Sequence, residues 1–284
     1  MDIREIRSLE FVEVTDEEFK LIRDLIYKNI GINLTEEKRS LVNGRLQKIL
    51  RKLNFKTFKE YYQFLINDKS GEALSELANV ISTNHTFFGR EIDHFEYFVD
   101  IVLPEIEARA KKTNNFDIRV WSAGCSSGEE PYTLVMLMME YFGKDYYKWK
   151  AGVLATDISL TVLEKAKKGI YPDERVQPLP DIFKKKYFKQ LPTGEWEIID
   201  ALKREVTFRR FNLMNERFPF KSPFDVIFCR NVMIYFDEPT RERLVDKFYQ
   251  FTAPNGYLFI GHSETLNRTK TKYVYLKPAV YKKA

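Results

Sequence analysis

The sequence predicts an α/β domain built on a mostly parallel sheet, with a small antiparallel β insertion and a small all-helical domain in front. Three observations predict it. From residue 116 onward, helical stretches alternate with apolar β runs, the pattern of a parallel sheet covered by helices on both faces. Residues 12–82 carry only helical periodicity and helix-boundary signals. Residues 183–210 interrupt the alternation with a turn-centred pair of β-prone runs.

In chain order, Thr15-Asp-Glu-Glu18 and Thr57-Phe-Lys-Glu60 are capping-box patterns, and Gly31 reads as a helix stop. Helices are predicted near 16–30, 36–53, 58–67 and 72–81, with Thr35 as the N-cap of the second. Ser82 to Gly89 is a polar and aromatic connector. A helical segment from about 90 to 112 follows, in which Pro104 starts a fresh turn or a kink. The expected organisation is a helical domain over 12–82, a helical linker over 83–115 and an α/β domain over 116–284. Its strands are expected at Ile118–Ser122, Ala151–Asp157, Val206–Asn212, Val226–Cys229 and Tyr257–Gly261, with a terminal antiparallel pair within Thr271–Tyr281. In the insertion, Pro192-Thr-Gly-Glu195 between Tyr187-Phe-Lys-Gln-Leu and Trp196-Glu-Ile-Ile reads as a hairpin.

The chain has 284 residues, 44% hydrophobic and 31% charged, an ordinary balance for a soluble protein. It has no run of 18 apolar residues and no signal-like N-terminus, which argues against a membrane span or secretion. Cys125 and Cys229 are far apart and no CxxC occurs, which fits a reducing cytoplasm.

Charge is unevenly placed. Residues 36–60 hold eight basic side chains and three acidic ones, a local +5 that equals the net charge of the whole chain. Leu41, Leu46, Ile49, Leu50 and Leu53 mark the apolar stripe of this helix. Arg45, Lys48, Arg51 and Lys52 share an exposed face by three- and four-residue spacing. Two readings stay open, a solvated face or a docking surface for nucleic acid or an acidic protein. The scarcity of interleaved aromatics argues against stacking on single strands.

Three segments point to a ligand. The first is Arg119-Val-Trp-Ser-Ala-Gly-Cys-Ser-Ser-Gly-Glu-Glu-Pro-Tyr-Thr133, a strand, a small-residue loop and a helix whose first position is assigned to Pro131. Such a unit offers free backbone N–H groups to a ligand. Glu129 and Glu130 would repel a pyrophosphate but would hold an ammonium and ribose hydroxyls, the groups of S-adenosylmethionine. The second is Asp157 at the end of the second strand, placed for a ribose. It lies 29 residues after Gly128, and it could also cap the helix Leu160–Lys168. The third is the buried strand before Asn231 and Tyr235, which delivers both to the carboxyl edge of the sheet.

On this third segment the chain resembles the chemotaxis receptor methyltransferases of the CheR type. Four stretches carry the resemblance: Asn84-His-Thr-Phe-Phe-Gly-Arg-Glu91, Ser122 to Tyr132 with its Gly-Glu-Glu-Pro-Tyr, Phe228-Cys-Arg-Asn-Val-Met-Ile-Tyr-Phe-Asp237 and Gly261-His-Ser-Glu264. It covers nearly the whole chain. One departure is Gly89, where the family usually has the second of two aromatics.

The resemblance implies a Rossmann-like domain that moves a methyl group from S-adenosylmethionine to glutamate side chains of chemoreceptor helices, giving γ-methyl esters. By position, Asn84, Thr86 and Arg90 would close over the cofactor. Glu130 would take its ammonium, with Glu129 as runner-up, and Asp157 its ribose. Asn212 and Leu213 would flank the adenine, with Asn231 and Val232 completing the pocket. Arg90 and Tyr235 would orient the substrate carboxylate, and the basic face would meet the receptor. A glutamate is already ionised near neutral pH, so no general base is required. No metal is expected, because His85, His94 and His262 show no ligand spacing. Neighbours in sequence, His262 and Ser263 do not suggest a catalytic triad. The expected enzyme is a cytoplasmic monomer that binds no nucleic acid. Two other classes remain. A nucleic-acid methyltransferase would need an Asn/Asp-Pro-Pro-aromatic motif or a Pro-Cys nucleophile, and neither occurs. A non-catalytic cofactor-binding adaptor would keep Asp157 but lose Arg90 or Tyr235.

Overall fold

Thr15 and Glu18 cap each other at the first helix of the chain. The Thr15 hydroxyl accepts the Glu18 N–H at 3.3 Å and the Glu18 carboxylate accepts the Thr15 N–H at 3.0 Å, so two orphan donors are satisfied. The computed structural model describes residues 12–82 and 84–284. Thr83 and residues 1–11, where no signal-like leader was read, lie outside the described residues. The chain divides into two compact units at the 83/84 boundary.

The first unit is helical: α1 (Asp16–Ile30), α2 (Arg39–Lys52), α3 (Phe58–Asn67) and α4 (Glu72–Ile81). Gly31 ends α1 in the left-handed region at φ +79°. Thr35 precedes a short 3₁₀ turn, Glu36–Lys38, without a side-chain cap bond, so α2 begins later than the sequence predicted. The buried stripe of α2 is Val42, Leu46, Ile49 and Leu50, whereas Leu41 and Leu53 are exposed. That corrects the sequence-based stripe at both ends.

The second unit opens with α5 (Ile92–Tyr97), a π turn over Phe98–Val102 and α6 (Leu103–Thr113). Pro104 lies in the first turn of α6, where its missing N–H breaks the ladder and accounts for the π turn. Residues 84–115 are no separate linker: Phe88, Phe95, Phe98, Val102 and Ile106 lie in the main core.

The seven-stranded sheet has the order β6-β2-β1-β7-β8-β10-β9. β1 (Val120–Ala123), β2 (Val153–Asp157), β6 (Val206–Arg210), β7 (Phe224–Cys229) and β8 (Thr252–Ile260) run parallel, and β9 (Val274–Lys277) and β10 (Val280–Lys282) close it antiparallel. β1 and β7 are fully buried, as strands covered on both faces must be. The chain winds outward from β1 to β2 and β6, then returns to β7 and winds the other way. The switch point therefore falls between β1 and β7, where open α/β sheets bind ligands.

The insertion is larger than the sequence indicated. Its hairpin, β4 (Phe188–Gln190) and β5 (Trp196–Ile198), forms as predicted, with Gly194 in the turn at φ +85°. β5 pairs on its other side with β3 (Ile170–Tyr171), which starts before residue 183. A two-residue strand is too short for periodicity to reveal.

Candidate active site

The loop after β1 is shaped by backbone packing. Gly124 has φ +87°, and a Cβ there would lie 2.4 Å from Val232 Cγ2; only glycine lets the loops after β1 and β7 approach this closely. The Gly124 and Cys125 N–H groups donate to the Thr156 carbonyl at 2.8 and 2.9 Å. The Ser126 N–H donates to Asp157 Oδ2 at 2.9 Å. Asp157 Oδ1 accepts the Ser159 N–H at 2.9 Å, while Ser159 itself caps α8 (Leu160–Lys168). Asp157 is therefore not the N-cap. Burial pushes its carboxyl up, against the N–H groups of Ser159, Ser126 and Ile158.

Helix α7 (Glu129–Phe142) starts two residues earlier than predicted, with Gly128 as N-cap and Pro131 third rather than first. Both carboxylates thus lie in the first turn, where the helix dipole favours them, and successive residues point about 100° apart. Glu129 is fully buried, bonded to the Ser127 hydroxyl at 2.8 Å and to Arg175 Nη1 at 2.7 Å. Glu130 turns to the switch point, accepting the Ser122 hydroxyl at 2.6 Å and Arg230 Nη1 at 3.0 Å.

The segment 84–91 is seated by its side chains. Phe88 is buried edge-on against Tyr171 of β3 and Phe188 of β4, so the insertion braces it. Arg175 Nη1 donates to the Thr86 carbonyl at 2.6 Å. Gly89 has φ +77°, and a Cβ there would meet nothing closer than Ile92 Cδ1 at 4.0 Å. The missing aromatic is thus a matter of backbone conformation and not of crowding. Arg90 folds back to the His85 carbonyl at 2.7 Å. Asn84, Thr86 and Arg90 are all partly buried.

After β7, Arg230 is nearly buried and is bonded to Glu91, Glu130 and the Arg90 carbonyl. Asn231 adopts φ +58° and donates from Nδ2 to Glu91 Oε1 at 3.2 Å. Tyr235 ends a 3₁₀ turn, Met233–Tyr235, and is partly buried. Glu264 anchors this turn, accepting the N–H of Asn231 at 2.9 Å and of Ile234 at 3.1 Å. Asn212 and Leu213 follow β6 in a turn that Asn212 Oδ1 closes on the Met214 N–H at 2.9 Å. The adjoining Phe211 N–H donates to the Asp157 carbonyl at 2.9 Å.

Sequence reasoning passed over Arg230, Glu91 and Glu264, although each stands inside a quoted motif. It also misjudged the histidines. Donor atoms of Glu91, His94 and His262 lie within 4.8 Å of one another, a grouping hidden by their separation in sequence. The Arg230 guanidinium already sits on that Glu91 carboxylate, so a cation is supplied by the chain itself. Glu91 would be raised by burial, but Arg230 and Asn231 bring its carboxyl below the usual range.

The basic residues of α2 belong to the first unit. Arg45 is partly buried and donates to the carbonyls of Val80 and Ile81 at the end of α4. Lys52 lies 3.6 Å from Glu76, and Lys48 and Arg51 are exposed.

A doubly wound sheet with a tight loop after β1, Glu130 of α7 at its switch point and Asp157 at the end of β2 has the architecture of the Rossmann-like, nucleotide-cofactor-binding class. Residues 84–281 match the CheR methyltransferase, SAM binding domain, and residues 17–82 match the CheR methyltransferase, all-alpha domain. The chain belongs to the CheR methyltransferase family and is an S-adenosylmethionine-dependent methyltransferase of chemotaxis. It is 45% identical over 272 residues to the chemotaxis protein methyltransferase of Borreliella burgdorferi, covering 96% of both chains. The Escherichia coli chemotaxis protein methyltransferase is 35% identical over 280 residues, covering 97% of this chain and 94% of that one. The residues fit the cofactor: Glu130 and Asp157 bring carboxylates of suitable chemistry to the loop after β1, where Ser122 and the Ser126 N–H bond to them. No helix among the described residues is long and apolar enough to cross a membrane.

Proposed function

We propose that the chain methylates glutamate side chains of chemoreceptor cytoplasmic helices, forming γ-methyl esters. The likeness to chemotaxis protein methyltransferases over nearly the whole chain carries this reading. When bound, S-adenosylmethionine supplies an electrophilic methyl group on a positively charged sulfur. That methyl group would pass to an oxygen of the receptor carboxylate, with S-adenosylhomocysteine as the product left behind. No proton moves, because the acceptor is already ionised. The chain therefore acts by positioning and by excluding water. Glu130 holds the ammonium and Asp157 the ribose hydroxyls, using the lone pairs its backbone bonds leave over. Asn84, Thr86 and Arg90 close over the cofactor, Asn212 and Leu213 flank the adenine, and Asn231 and Val232 complete the pocket. Arg90 and Tyr235 orient the incoming carboxylate. Lys48 and Arg51, with Arg45 and Lys52 beside them, present a basic face to the acidic receptor helix.

The same reading places the enzyme in the cytoplasm as a monomer without nucleic-acid partners, in keeping with two buried free cysteines. Incubation with methyl-labelled S-adenosylmethionine and receptor cytoplasmic fragments should yield label released as methanol by mild base. Base-stable label would sink the ester assignment, and label transferred to nucleic acid instead would favour the other substrate class.

A further inference from the structure

Glu91, Arg230 and Glu130 form a chain of three charges in which one guanidinium serves two carboxylates. Arg230 donates to Glu91 Oε2 from both Nε at 3.3 Å and Nη2 at 3.1 Å, and to Glu130 Oε2 from Nη1 alone at 3.0 Å. Two of the guanidinium donors thus converge on one Glu91 oxygen, and one is left for Glu130. The guanidinium also covers the Phe95 ring, 5.1 Å from its centroid, and its side chain is only 4% exposed. A cation this buried must be compensated by fixed partners. Asn231 Nδ2 and the Arg230 pair share the Glu91 carboxylate, which fixes its orientation from two sides.

Two carboxylates against one guanidinium leave a net charge of about −1 in a largely buried cluster, and an incoming ammonium neutralises it. We propose that Glu91 is a positioning residue for the cofactor, acting through Arg230. By holding the guanidinium on its own carboxylate, Glu91 leaves the charge of Glu130 available to the ammonium. Without Glu91, Arg230 neutralises Glu130, and the ammonium enters a pocket with no net charge to meet it. The inference rests on the proposed Glu130–ammonium contact.

Calorimetric titration of the full chain with two ligands tests it. S-adenosylhomocysteine carries the amino-acid end and methylthioadenosine lacks it. Glu91→Gln should weaken S-adenosylhomocysteine by about tenfold or more, the scale of a charge-assisted contact. Methylthioadenosine should change by less than about twofold, which also shows that the variant is folded. Glu91→Asp should keep most of the affinity. Adding Arg230→Met to Glu91→Gln should restore much of the loss, because the competing cation is gone; Arg230→Gln serves if the methionine variant does not fold. A double variant as weak as Glu91→Gln alone would mean that Glu91 acts on the fold rather than on Arg230, and the proposal falls. If Glu130→Gln weakens S-adenosylhomocysteine selectively while Glu91→Gln does not, the relay falls and the ammonium contact stands. If Glu130→Gln has no selective effect, both fall.

Discussion

Asp157 binds the Ser126 N–H with one carboxylate oxygen and the Ser159 N–H with the other, each at 2.9 Å. A single side chain thus joins the loop after β1 to the end of β2 and the start of α8. Asp157→Ala removes this tie together with the proposed ribose contact. Loss of a charge-assisted hydrogen bond costs about 1.5–3 kcal/mol, so S-adenosylhomocysteine binding should weaken by roughly one to two orders of magnitude. Unchanged affinity in a folded variant, measured by calorimetry, would remove Asp157 from the site.

His94 sets a pH dependence of folding. Burial, and then the neighbouring Arg230 charge, push its pKa down from 6.5 to about 4, against the pull of Asp93 and Glu91. Between those values the unfolded chain takes up a proton that the folded chain refuses. Stability from this residue is therefore complete above pH 6.5 and is lost as pH falls toward 4. From pH 7 to pH 5 the loss should be about 2 kcal/mol. Urea unfolding at the two pH values should show this difference in the unmodified chain and a smaller one in His94→Phe; equal differences would exclude His94 as the source.

Tyr235 ends the short turn that Glu264 anchors, and its hydroxyl is proposed to orient the incoming carboxylate. Tyr235→Phe should then lower single-turnover rate while leaving cofactor affinity nearly intact, the signature of an interaction made toward the transition state. A full rate in the folded variant would leave the ring as packing only.

The legible parts of this chain are those governed by local rules. Thr15, Glu18 and Gly31 marked α1 because caps act within a few residues, and the apolar runs of β1 and β7 marked strands buried on both faces. Asp157 and Glu130 are proposed for the cofactor on the same kind of local signal, because strand ends and helix starts commonly hold ligands. Arg230, Glu91 and Glu264 did not stand out, since their meaning lies in partners up to 140 residues away. The histidine grouping was invisible for the same reason. Arg45 shows the opposite error: helical spacing put it on the basic face, yet only the folded unit reveals that it reaches the end of α4. The strand β3 escaped because two residues carry no period.

That double occupation of Arg45 changes how the basic face is to be tested. The Arg45 guanidinium meets the last carbonyls of α4, groups that helix ends leave orphaned. Arg45→Glu would place a carboxylate there and should destabilise the helical unit by about 1–3 kcal/mol. A receptor defect in that variant could not be told from partial unfolding. Lys48 and Arg51 are exposed, and reversing them alters surface charge with little effect on packing. Lys48→Glu with Arg51→Glu should therefore raise the apparent Michaelis constant for receptor several-fold, while unfolding midpoint and cofactor affinity stay unchanged. Complementary surface charge acts on encounter and register and is screened over about 8 Å at physiological salt. Raising the salt concentration should accordingly reproduce part of the defect in the unmodified enzyme and add little to it in the variant. Normal receptor methylation by the variant at low salt would reduce the face to a solvated surface. Loss of cofactor affinity instead would place α2 in the catalytic pocket and overturn the assignment of this face to the receptor.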